Sequence, residues 1–117
     1  MQVHMNKFRV PYRILTVYER LKARPELCHC DITMEELEDD GEACYFPLRQ
    51  FYTVRVYVRY KGFSINIVGR LEQGHFTYGA NAYHDNAPWN PQHTAPIEKV
   101  DELVDIVVGR FAIVPKD

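Results

Sequence analysis

No apolar run in this chain approaches the ~18 residues of a membrane-spanning helix. The opening residues, from Met1 to Lys7, lack the apolar stretch of a secretory leader, so neither a signal peptide nor a membrane partner is expected. Cysteine is scarce and odd in number. Three cysteines cannot close a complete disulfide framework, and reduced thiols in a cytoplasmic setting are the expectation. Motifs that announce an enzyme are absent: there is no G-x-S-x-G elbow, H-E-x-x-H, P-loop or G-x-G-x-x-G. Repeats and low-complexity tracts are absent too. A large excess of one charge is also missing. A net charge of −2 argues against a generic binder of polyanions.

What is present reads as one soluble domain over 1–117. The length suits one domain, and 46% hydrophobic with 26% charged residues is ordinary for a globular protein. Eight Tyr and six Phe are many for this length, and large aromatics favour a sheet.

The clearest pattern runs from Phe51 to Tyr83. Phe51 to Tyr60 alternates apolar and polar with period two, and Lys61-Gly62 makes a two-residue turn. Phe63 to Leu71 alternates again, Gln73-Gly74 can turn, and His75 to Tyr83 returns. Pairing across both turns puts Val56, Val58, Ile65, Ile67, Phe76, Tyr78, Ala80 and Ala82 on one face. Arg55, Tyr57, Arg59, Asn66, Arg70, Asn81 and Tyr83 fall on the other. A slip of one residue would mix the two sets.

Helices flank this meander. Ile14, Val17, Tyr18 and Leu21 form a helical stripe within 12–24, between Pro11 and Pro25. Ile97, Val100, Val104, Val107, Val108 and Phe111 form another within 95–111, with Thr94 as its cap. The expected architecture is α+β: a three-stranded antiparallel meander over 51–83, covered on one face by both helices, with an acidic insertion at 28–50. Within that insertion, Leu27 to Ile32 suggests a short strand. The capping box Thr33-Met-Glu-Glu36 suggests helical turns over 34–40. Asp85 to Pro96, rich in proline, reads as a loop carrying the only tryptophan, Trp89.

Candidate chemistry is sparse. Cys28, Cys30 and Cys44, with His75, His84 or His93, supply donors for tetrahedral zinc. The C-x-C spacing is tighter than structural zinc sites use, and small buried cysteines are the plainer reading. No metal and no cofactor are expected. Cys44 follows an acidic run, which raises a thiol pKa, the wrong direction for a nucleophile. His75, His84 and His93 are the one cluster that could do acid–base work, so no enzyme is expected.

Surfaces are more informative. Asp31, Glu35, Glu36, Glu38, Asp39, Asp40 and Glu42 form a run of seven acids with no basic residue among them. The expected function is a non-catalytic binding module of inhibitor, immunity or adaptor type. Its partner would be a protein, met by the open sheet face (Arg55, Tyr57, Arg59, Asn66, Arg70, Tyr83), by Trp89 or by the acidic run. The chain could also form a homodimer. The alternative is single-stranded nucleic acid, which Arg and Tyr on an open sheet also suit.

Overall fold

The computed structural model describes residues 9–37, 53–72 and 74–116. The fold is α+β, built on an antiparallel sheet of five strands in the order β1-β2-β3-β4-β5. These are β1 (Asp31–Leu37), β2 (Thr53–Tyr60), β3 (Phe63–Glu72), β4 (His75–His84) and β5 (Ala87–His93). Helix α1 (Arg9–Ala23) precedes the sheet and α2 (Val100–Ala112) follows it.

Turn chemistry sets the register of the central strands. Lys61 and Gly62 both take positive φ, 52° and 83°, the conformation of a two-residue hairpin turn. Tyr60 therefore pairs with Phe63, and Val56 and Val58 with Ile67 and Ile65. Gly74, at φ 77°, returns the chain so that Glu72 pairs with His75 and Ile67 with Ala80. Alternation then sends Val56, Val58, Ile65, Ile67, Phe76, Tyr78, Ala80 and Ala82 into the core.

Two more strands join this meander than the sequence suggests. Residues 31–37 carry a capping box, yet they form β1 and not a helical turn. Asp31 to Leu37 pairs with β2 from Arg59 back to Thr53. Tertiary pairing overrides the local helix signal here. Residues 25–27 form a short 3-10 turn, so Cys28 and Cys30 precede the strand and do not sit in it. The expectations for residues 38–50 lie outside the described residues.

Residues 87–93 form β5 in spite of Pro88 and Pro91. Asp85 and Asn86 adopt positive φ, 51° and 71°, and make a third hairpin turn that pairs His84 with Ala87. Proline is tolerated because β5 lies at a sheet edge, where a missing N–H breaks no interior ladder. The final helix starts later than its apolar stripe implies. Thr94 does not cap it: its Oγ1 accepts the Ala80 N–H at 3.1 Å. Ile97 exchanges backbone hydrogen bonds with Tyr78 at 2.7 and 2.9 Å. The chain stays extended beside β4 until Lys99.

Buried residues of both helices and of one sheet face form a single cluster. Ile14, Val17 and Leu21 come from α1, and Leu103, Val104, Val107 and Phe111 from α2. Complete burial of one such aliphatic side chain stabilises by about 1.5–3 kcal/mol. Gly69 admits α1 closely: a Cβ there would lie 2.6 Å from Phe76 and 3.1 Å from Ile14. Arg20 pairs with Asp101, and Arg24 with Asp105 at 3.1 Å, tying the helices at their exposed rims. Exposed pairs of this kind add little.

Candidate functional site

The second sheet face carries the polar residues. Register orders them in rows across the strands. Asp31, Arg59, Ser64 and Tyr83 form one row; Thr33, Tyr57, Asn66, Asn81 and His93 form the next; Glu35, Arg55, Val68 and Gly79 form a third. Arg70 stands opposite Thr77. The register therefore sets every open-face residue singled out from sequence on one face, Asn81 among them, and adds His93 beside Asn81.

The centre of this face is unusual in its hydrogen bonding. Arg55 is half-buried, and its Nε is shielded from solvent with no hydrogen-bond partner among the described residues. Glu35 is its cross-strand neighbour, yet the two form no ion pair. Shielded donors are nearly always satisfied, and an unmet one costs about 1–3 kcal/mol. Next to it, the Arg59 guanidinium lies over the Tyr57 ring, 4.5 Å from its centroid. That contact holds one charge in place at the surface and covers one face of the ring. Across the sheet, His93 Nδ1 and Asn81 Oδ1 are 2.5 Å apart.

Two hollows flank this centre. One, of about 200 Å³, is floored by Val68 and Gly79 and walled by Thr77, Asn81, His93 and Pro96. The other is shallower and larger, about 530 Å³, and opens at the β2–β3 turn between His29, Asp31, Arg59, Lys61, Ser64 and Asp85. His29 meets the Tyr60 ring edge-on at 4.6 Å, and its Nε2 is shielded and unpartnered among the described residues.

Trp89 belongs to the other side of the molecule. Its ring is half-buried against the core, 4.7 Å from Phe63 and 5.5 Å from Phe111. Arg110 packs over it at 4.2 Å and donates to the carbonyls of Trp89, Asn90 and Pro91 at 2.8, 3.4 and 2.7 Å. Burial lowers the pKa of that guanidinium. The sequence signal for this clamp was slight, since it needs β5 to exist.

The histidines do not converge. His75 and His84 stand at opposite ends of β4, nine residue steps or ~30 Å apart along the strand. His75 meets Glu98 at 2.7 Å, and His84 stacks on Phe63 and meets Asp85 at 3.3 Å. No acid–base cluster forms from the three. Cys28 is exposed in the turn before β1, and Cys30 is half-buried. Burial first, then the nearby Cys28, pushes the Cys30 thiol up to about 11. No group of three or more His, Cys, Asp or Glu side chains among the described residues could hold a metal. Cys44 lies outside those residues, as do Glu38, Asp39, Asp40 and Glu42 of the acidic run. Asp31, Glu35 and Glu36 belong to β1.

Among the described residues no helix is long and apolar enough to cross a membrane. Compared with known proteins, the chain matches no family model, no curated protein and no solved structure.

Proposed function

We propose that this chain is a non-catalytic binding module, of inhibitor, immunity or adaptor type, that takes a protein partner on the open face of its sheet. The observation that carries the reading is the shielded, unmet Nε of Arg55 in the middle of that face. A partner that draws this half-buried guanidinium outward would let the donor meet an acceptor and remove its cost. Tyr57 and Arg59 beside it are residue types that concentrate binding energy in interfaces. The two flanking hollows offer room for partner side chains. Trp89 does not enter this surface, because its ring faces Phe63 and Phe111.

Single-stranded nucleic acid would use the same face. Arg59 already covers one side of Tyr57, which leaves a base only the other side for stacking. Capture from a lysate of the source organism separates the two readings, run with the wild-type chain, Arg55→Ala and Tyr57→Ala, each with and without nuclease. A defined protein should be retained by wild type after nuclease and lost with both variants. Loss of all capture on nuclease treatment would replace the protein reading with the nucleic-acid one.

A further inference from the structure

The two outer strands offer different free edges. On β5, Pro88 and Pro91 have no N–H to donate, and Arg110 takes the carbonyls between them. On β1 neither device is found among the described residues. Its seven residues contain no proline and no lysine, and among the described residues it pairs with β2 alone. Half of the backbone N–H and C=O groups of such a strand point away from its one neighbour. An unpaired edge of this length is a template for another strand.

Side chains define what that strand should be. Asp31, Thr33 and Glu35 share the open face with Arg59, Tyr57 and Arg55, while Ile32 and Met34 share the core face with Val58 and Val56. Asp31 and Glu35 are exposed and form no ion pair among the described residues. Met34 is 39% exposed, one of two large apolar side chains so placed among the described residues. The edge thus alternates free carboxylates on one side with apolar surface on the other.

We infer that β1 takes an extended basic segment of a partner protein by strand addition. Lysine or arginine would fall beside Asp31 and Glu35, and apolar side chains beside Ile32 and Met34. A second copy of this chain fits less well. Two β1 strands paired antiparallel about Thr33 would set Asp31 of one copy opposite Glu35 of the other, and like charges directly opposite destabilise. The inference rests on the sheet edge alone, so it stands even if the Arg55–Tyr57 face binds nothing.

A fluorescent peptide of about ten alternating lysine and valine residues, the length of a long strand, tests this by anisotropy against the full chain. Saturable binding is expected. The double variant Asp31→Asn, Glu35→Gln should weaken it roughly tenfold, about threefold for each exposed carboxylate. Both replacements are near-isosteric at exposed positions, so the fold persists. Glu102→Gln, which removes one carboxylate from exposed α2 surface, should leave affinity unchanged. A glutamate–valine peptide of the same length should not bind. No binding of the lysine–valine peptide would overturn the inference, as would equal weakening by Glu102→Gln. Sedimentation as a dimer that tightens on Asp31→Lys, which would set lysine opposite Glu35 of the other copy, would overturn it in favour of a second copy.

Discussion

The two edges of the sheet are built on opposite plans. Strand β5 is fastened from behind. Trp89 sits against Phe63 and Phe111, and the Arg110 guanidinium grips three successive backbone carbonyls. Two prolines remove donors from the same strand. Among the described side chains, strand β1 has one buried anchor, Ile32, an exposed Met34 and two carboxylates without an ion pair, Asp31 and Glu35. Both are edge strands of one antiparallel sheet, so backbone geometry does not distinguish them. Side chains and their partners do. An edge can be closed by proline and a clamping arginine, and an edge without them is free to pair.

The largest effect should come from opening the closed edge. Arg110→Ala removes charged hydrogen bonds to three carbonyls and a cation–π contact with Trp89, so unfolding in urea should show a loss of about 2 kcal/mol. Arg110→Lys should recover little, because a point charge cannot span the three carbonyls as the planar fork does. A loss below about 0.5 kcal/mol would mean that β5 holds without its clamp.

A smaller effect should follow from disturbing the turns that join the halves of the sheet. The Asp85 N–H donates to the Gly62 carbonyl at 2.9 Å, linking the β2–β3 turn to the β4–β5 turn. A Cβ on Gly62 would sit 2.4 Å from Asp85 Oδ1, at φ 83°. Gly62→Ala should therefore cost about 1–2 kcal/mol, through backbone strain and displacement of Asp85. The smallest effect belongs to the open edge itself. Met34→Lys should change stability by less than about 0.5 kcal/mol, since the side chain is already partly in water. It should still weaken the lysine–valine peptide by placing a cation where the edge now offers apolar surface.

How much of this was legible in the sequence varied along the chain. The meander was readable because Lys61-Gly62 and Gln73-Gly74 bracket strands whose alternation agrees across both turns. The open-face set followed from that register. The outer strands were not readable for a shared reason: each carries a strong local signal for something else. Thr33-Met-Glu-Glu36 spells a helix start, and the two prolines of 87–93 spell a loop. In both segments the neighbouring strand prevails. Period-two alternation of Ile32 and Met34 was the signal available for β1, and tolerance of proline at sheet edges was the one available for β5. Pairing of Asn81 with His93, and the grip of Arg110 on β5, could not be reached without those strands. The three histidines are near in sequence and apart in space, since His75 and His84 mark the two ends of one strand and His93 ends the next.

Hydrogen exchange of backbone amides in the full chain, followed residue by residue with and without the lysine–valine peptide, tests the contrast between the edges most directly. Strand addition at the open edge predicts new protection along Asp31–Leu37, with exchange in Ala87–His93 unchanged. Protection appearing at Ala87–His93, or spread evenly over the sheet, would contradict it.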